Sequence, residues 1–300
     1  MDESIEKTNK IKHLVISGGG PRGFIFYGIL KELYNNGFWK LEDIETMYGT
    51  SIGSLLSVIL CLNYDWDTID DYFIKRPWQN IFKFNMYTIV DSFQKRGFFS
   101  INIFKESFIP LFKGKDISMD ITLQEFYDLN GIELHIFATE INRYELIDFS
   151  YKTHGNYKVI DVVYYSCSLP IIFSPILQND LCYCDGGLIL NYPLEKCLKN
   201  GANKDEILGI KITIDDTNIF KINENSSIFD YIFYLITKIL EKKLLINENI
   251  DVPWEITVKT SQNTIYSFYK ILSSQEERIK LIEYGKECCK DILEKQIIPG

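Results

Sequence analysis

Apolar positions along the chain change period several times, and each change predicts an element. Residues 12–17, KHLVIS, form a short apolar run that stops at Gly18-Gly19-Gly20, as a buried strand does when it enters a turn. After Pro21-Arg22-Gly23, Phe24, Tyr27, Leu30 or Lys31, and Tyr34 recur at helical spacing with Leu33 beside them, and Gly37 supplies a stop. Strand, glycine turn and helix open an α/β fold. Residues 44–48 predict a second short strand running into Gly49, and SLLSVILCL after Ser51 has the length of a buried helix. Residues 132–138 and 145–149 read as paired strands. Residues 158–168 predict a helix that Asp161 caps and that ends before Pro170. Residues 181–184 form a short strand delivering Asp185 to the turn Gly186-Gly187. Pro193 suits the first turn of a helix closed by Gly201, and 207–214, ILGIKITI, is the last clear strand.

Two stretches break this rhythm. Residues 65–120 are rich in Phe, Tyr, Trp, Asn and Lys, with Pro77 and Pro110 as breakers. They predict short helices in an insertion that packs on the sheet or forms a lid. Further on, Ile228, Ile232, Leu235, Ile236 and Ile239 recur at helical spacing, as do apolar positions from Ile265 to Ile282. Two or three long helices are expected over 220–300, with Pro253 marking the break between them. Without an internal repeat or a linker, the expectation is one domain over 1–300 with its core in 12–215.

Composition narrows the function classes. Hydrophobic residues make up 46% and charged residues 24%, which excludes disorder and a collagen-like chain. Asp and Glu outnumber Lys and Arg 41 to 32, a formal charge of -9 that repels phosphate backbones, so no nucleic acid partner is expected. The seven cysteines do not form a disulfide framework. Cys182 and Cys184 share a strand face and Cys288 and Cys289 are adjacent, yet neither pair has a second pair at metal-ligand spacing, and there are only three histidines. No metal and no other cofactor is expected. The opening MDESIEKTNK is acidic and polar, unlike a signal peptide, and the longest apolar stretch, Leu55 to Leu62, is short of a membrane span. A reduced, cytoplasmic location is the expectation.

Candidate chemistry sits at the glycines. Gly18-Gly19-Gly20-Pro21-Arg22-Gly23 satisfies G-x-G-x-x-G, a dinucleotide-binding pattern whose acidic partner would be Glu42 or Asp43; those residues precede a strand where the pattern needs them after one. Gly49-Thr50-Ser51-Ile52-Gly53 is a G-x-S-x-G pentad between a strand and an apolar helix. Such spacing projects a nucleophile from a tight turn, because glycines on either side let chain segments approach without Cβ clashes. The helix N-terminus behind the serine favours oxyanion charge. The usual order of serine, acid and histidine fails, since no histidine follows His154. His13 opens a strand, His135 lies inside one and His154 sits in a polar loop, solvent-facing. The base that remains is a carboxylate, and Asp185 stands out because it ends a strand before two glycines, with an ordinary turn aspartate as the alternative reading.

With these motifs the chain resembles the patatin-like phospholipase family. Its opening block is similar to Leu14–Ser17, Gly18–Gly23 and Gly28-Ile29-Leu30-Lys31-Glu32-Leu33, and its nucleophile elbow to Gly49–Gly53. Its Ala-Ser-x-x-x-Pro-x-x-Phe-x-Pro block resembles residues 165–175, from Tyr165-Ser166 through Pro170 and Phe173 to Pro175. Its Asp-Gly-Gly resembles Asp185-Gly186-Gly187, followed by Asn191 and Pro193. The resemblance covers residues 12–201. It implies a three-layer α/β fold with a mostly parallel sheet, a Ser51–Asp185 dyad, and an oxyanion hole from Gly18, Gly19 and Gly20. Arg22 would support that loop or meet an anionic head group. The implied activity is acyl ester hydrolysis of phospholipids or related lipids at a membrane surface through an acyl-enzyme. A catalytically inactive lipid-binding or interaction protein of the same fold is the alternative. The chain departs from the pattern at Pro21, which lacks an N–H, at Ile52 and Ser54, and at Tyr165. Ile52 is expected to narrow the elbow and Tyr165 to reshape the floor of the site.

Overall fold

The computed structural model describes residues 10–83, 86–178, 180–214, 221–245, 250–261 and 264–297. Most of the polar N-terminal segment and the boundaries expected at 215 and 220 lie outside the described residues. The first half runs β1 (His13–Ile16), α1 (Gly23–Asn35), β2 (Thr46–Thr50), α2 (Ile52–Cys61), α3 (Trp66–Asp70), α4 (Met86–Lys95), β3 (Gly97–Phe99), α5 (Ile101–Gly114) and α6 (Leu123–Asn130). Then come β4 (Glu133–Glu140), β5 (Glu145–Phe149), α7 (Tyr151–His154), α8 (Val159–Cys167), β6 (Ile171–Phe173), β7 (Leu177–Gln178), β8 (Leu181–Asp185) and α9 (Leu194–Lys199). The chain closes with β9 (Ile207–Ile214), α10 (Ile228–Leu245), β10 (Trp254–Thr260), α11 (Ile265–Ser273), α12 (Gln275–Glu287) and α13 (Lys290–Ile297).

Among the described residues the main sheet runs β10-β9-β1-β2-β4-β8-β7, with β5 also on β4. β10, β9, β1, β2 and β4 are parallel, while β5 and β8 run antiparallel to β4. Alternating side chains feed two cores, as the two-residue period of a strand requires. Leu14, Ile16, Met47, Ile136 and Ile210 pack with α1, α2 and α8 on one face. Val15, Tyr48, Phe137 and Ile207 pack with Leu194 and Cys197 of α9 on the other. Helices on both faces of a mostly parallel sheet make the expected three-layer α/β fold.

Several expectations change on contact with the structure. The second strand starts later than 44–48 and runs through Gly49 to Thr50. Asp161 does not cap α8, because a bridge between Thr122 and Lys158 starts the helix at Val159 and leaves Asp161 within the first turn. Pro110 does not break its helix. It lies inside α5, where the carbonyl four residues earlier, Glu106 O, loses its intrahelical donor. Arg76 Nη2 supplies one at 2.7 Å, and Arg76 Nη1 donates to Ser107 O at 2.8 Å. The 65–120 stretch also holds a strand, β3, which pairs with β6. β9 is not the last strand, because β10 continues the sheet beyond it with Ile256 and Val258 turned into the core. Pro253 stands just before that strand, a position proline tolerates. The apolar period from Ile265 to Ile282 is two helices that meet at Ser273–Ser274.

The C-terminal helices reach back to the start of the fold. α12 crosses α1 so closely that a Cβ on Gly28 would lie 2.2 Å from Ile282 O, and one on Gly285 2.2 Å from Ile25 O. Both obstacles are backbone atoms, so no side-chain rotation relieves the clash. Gly285→Ala is therefore expected to force the helices apart at a cost of about 1–3 kcal/mol. Thermal or urea unfolding of the variant beside the parent checks this, and an unchanged midpoint would contradict the close crossing.

Candidate active site

β2 and β8 approach one another along β4. Thr50, the last residue of β2, pairs with Phe137, and Asp185, the last of β8, pairs with the next residue, Ala138. Ser51 and Asp185, 134 positions apart in sequence, thereby meet at the sheet's edge: Ser51 Oγ donates to Asp185 Oδ2 at 2.7 Å. Gly187 N–H donates to Asp185 Oδ1 at 2.8 Å, and the Asp185 carbonyl accepts from Thr139 Oγ1 at 3.0 Å. Both side chains of the pair are buried.

Ser51 adopts φ 54°, ψ -124°, a conformation that side-chain-bearing residues avoid unless their surroundings impose it. Its N–H donates to Ser166 Oγ at 2.8 Å, and that hydroxyl donates to Phe137 O at 2.6 Å. Its carbonyl accepts from Ser54 N–H at 2.9 Å and Ser54 Oγ at 2.7 Å. The flanking glycines leave no room for a side chain: a Cβ on Gly49 would lie 2.6 Å from Ser54 N, and one on Gly53 2.3 Å from Ile16 O. At the next turn, a Cβ on Gly186 would lie 2.2 Å from Phe137 O.

The glycine loop after β1 lies against this elbow. Gly18 N–H donates to Asn191 O at 3.0 Å, and Asn191 Nδ2 donates back to Gly18 O at 3.3 Å. A Cβ on Gly18 would come within 3.2 Å of Ser51 Cβ. With its N–H engaged by Asn191, Gly18 braces the loop, which departs from its expected part in an oxyanion hole. Gly18, Gly19 and Gly20 all line the pocket beside Ser51, Gly20 at φ +57°. Arg22 is buried and its Nη2 donates to Ser261 O, so its guanidinium ties the loop to the end of β10.

The Ser51–Asp185 pair opens into a cavity of about 190 Å³. Its wall is largely apolar, from Leu55 and Leu56 of α2, Phe73, Trp78 and Phe104, Phe233 and Leu240 of α10, and Phe268 and Leu272 of α11. Buried Arg278 ties two sides of this wall together. Its Nη1 donates to Leu272 O at 2.9 Å and its Nη2 to Ile74 O at 2.6 Å. Ile52 does line the pocket, packed over Gly23, where a Cβ would lie 2.2 Å from Ile52 Cγ1. Tyr165 is absent from the pocket wall: its ring stacks on Tyr183 at 4.6 Å in the core, so the floor is not reshaped as expected.

The competing readings find no support in the geometry. Glu42 and Asp43 precede β2, whereas the glycine loop follows the parallel β1, so they lie at the opposite edge of the sheet from it. Asp43 instead accepts from Lys10 Nζ at 2.5 Å. His13 Nδ1 contacts Thr46 Oγ1 at 2.7 Å, and His135 Nδ1 meets Asp148 Oδ1 at 2.9 Å while its ring stacks on Tyr48. His154 is half-buried between Phe149 and Tyr157 rather than solvent-facing. Cys184 packs with Leu188 and Ile236 as a buried free thiol. Sequence reasoning missed the roles of Ser166, Asn191 and Thr139. The first two stand inside motifs already singled out, and only the tertiary structure shows what they bond to.

A serine at a strand–helix elbow is thus bonded to a strand-end carboxylate on a mixed sheet. The family model described as patatin-like phospholipase matches residues 14–198. "Probable lipid hydrolase 463L" of Invertebrate iridescent virus 6 is 31% identical over 204 residues, 67% of this chain and 68% of that protein. An uncharacterised protein, R571, of Acanthamoeba polyphaga mimivirus is 24% identical over 291 residues, 92% of this chain and 96% of that one. VipD from Legionella pneumophila shares the fold at a TM-score of 0.57 and 16% identity, over 95% of this chain and 67% of that chain. The chain belongs to the patatin-like phospholipase family, whose typical activity is lipid hydrolysis.

Burial pushes the Asp185 carboxyl up to about 6, while the hydrogen bonds from Ser51 and Gly187 pull it the other way. A raised value means that the folded protein binds this proton more tightly than the unfolded chain does. The stability it contributes is fully present below the ordinary value of 3.8 and is lost as pH rises through about 6. Asp185→Asn, which cannot ionise, should therefore gain on the parent by on the order of 2 kcal/mol between pH 4 and pH 7. Urea unfolding of both proteins at the two pH values measures that change, and a constant difference would contradict it.

Proposed function

We propose that the protein is a serine acyl hydrolase, of the phospholipase A type, that cleaves fatty acyl esters of phospholipids or related lipids. The observation that carries this reading is the buried 2.7 Å hydrogen bond from Ser51 Oγ to Asp185 Oδ2 at the mouth of an apolar cavity. Asp185 takes the Ser51 proton as the oxygen attacks the ester carbonyl, and the alcohol portion of the lipid leaves with a proton. Water then attacks the acyl-Ser51 ester, releases the fatty acid and restores the serine. The glycine loop Gly18–Gly20 and the backbone N–H groups at the start of α2 stabilise the negative charge that develops on the carbonyl oxygen. Asn191 and Arg22 hold that loop. The apolar cavity suits the acyl chain, and the substrate's home is a membrane surface that the protein visits. No helix among the described residues is long and apolar enough to cross one.

Fatty-acid release from phospholipid vesicles tests the reading. Ser51→Ala and Asp185→Asn, each shown to be folded, should each lose roughly 10³-fold or more in kcat, because the two groups act as a unit. Excess chelator should leave the parent rate unchanged. Retained activity in either variant would overturn the dyad.

The rate should also report the base. Asp185 acts only when ionised, so kcat/KM is expected to fall as pH drops below about 6. A profile flat down to pH 4.5 on a soluble ester would contradict this.

A further inference from the structure

The helix that roofs the cavity is apolar on two sides. Phe233, Thr237 and Leu240 of α10 line the pocket, and Leu240 reaches the Asp185 turn, its Cδ2 lying 3.1 Å from where a Cβ on Gly187 would stand. The other side carries Ile228, Tyr231, Leu235 and Ile239, spaced to form a single stripe at about 3.6 residues per turn. They are 59%, 51%, 48% and 41% exposed, where a surface helix ordinarily presents polar residues. The patch continues onto α4: Val90 and Phe93 are 67% and 71% exposed, and the Phe93 ring lies 5.8 Å from that of Phe229. On α11, exposed Tyr266 and Tyr269 flank Phe268, which lines the same pocket.

We propose that the outer face of α10, extended by α4, is the surface on which the protein seats itself against a phospholipid bilayer. The inference rests on the lipid-hydrolase reading and names where that enzyme meets its substrate. Two observations favour a lipid occupant. The stripe and the cavity wall are two sides of one helix, so seating α10 on lipid places the pocket beside the acyl chains without a passage through water. Exposed tyrosines join the aliphatic residues, an amphipathic mixture suited to the head-group boundary.

Binding is read first in Ser51→Ala protein, so turnover plays no part. Leu235→Gln with Ile239→Gln, which keeps helix propensity and touches no pocket residue, should weaken co-sedimentation with vesicles of four parts phosphatidylcholine to one part phosphatidylglycerol at least tenfold. Ile228→Gln with Tyr231→Gln, at the other end of the stripe, should do the same. In protein with Ser51 intact, either pair should lower vesicle hydrolysis at least tenfold and leave hydrolysis of a soluble short-chain p-nitrophenyl ester within twofold. Undiminished binding by both folded pairs would overturn the proposal. So would a dimer that the substitutions split into monomers, because the face would then join two copies of the chain. If the parent hydrolyses neither substrate, the functional reading fails while the binding measurement still decides the docking face.

Discussion

The site depends on a discontinuity in the hydrogen-bond ladder along β4. β2 pairs with β4 as far as Phe137, and β8 takes over at Ala138 from the opposite direction. Phe137 O stands at the join, and a buried carbonyl cannot be left without a donor. Ser166 supplies the donor, and the same hydroxyl oxygen accepts the N–H of Ser51. One side chain thus repairs the ladder and holds the strained serine in place. The strain is offset by the sheet around it, so the turn at Ser51 is as firm as the strands that flank it.

The remaining constraints are of close approach. Gly18, Gly49, Gly53 and Gly186 stand where a Cβ would meet Asn191, the turn after Ser51, β1 or β4 within about 2.6 Å. The glycine loop, the elbow and the Asp185 turn interlock, so none can move without displacing another. Such packing excludes water from the Ser51–Asp185 pair, and that exclusion raises the carboxyl toward neutrality. The geometry that brings Asp185 and Ser51 together also sets how firmly the carboxyl holds its proton.

Much of this was legible in the sequence because local chemistry dictates it. Gly49–Gly53, Asp185-Gly186-Gly187 and the run after Ser17 are short motifs whose residue types follow from turn geometry. The strands at 132–138 and 207–214 are buried runs that need no partner to be recognised. What escaped the reading depends on distant partners. Nothing near Pro110 shows that Arg76 will satisfy the carbonyl it frees. β10 was hidden because Glu255, Thr257 and Lys259 alternate with its buried residues behind a proline, and only β9 makes that pattern a strand. Tyr165 looked like an intrusion into the site, but α8 turns it toward Tyr183. The bond from Gly18 N–H to Asn191 O, which changes that glycine's part in the site, joins residues 173 positions apart.

The crossing of α12 over α1 at Gly28 and Gly285 bears on how the protein is made. A chain leaving the ribosome has both Ser51 and Asp185 once β8 has emerged. At that stage β1 has no β9 beside it, α1 has no α12 across it, and the cavity lacks the walls from α10 and α11. A nascent chain therefore carries Ser51 and Asp185 before it has the apolar chamber beside them. Synthesis order thereby delays the assembled pocket until α10 and α11 have emerged, and truncation before α10 would leave Ser51 and Asp185 without that enclosure.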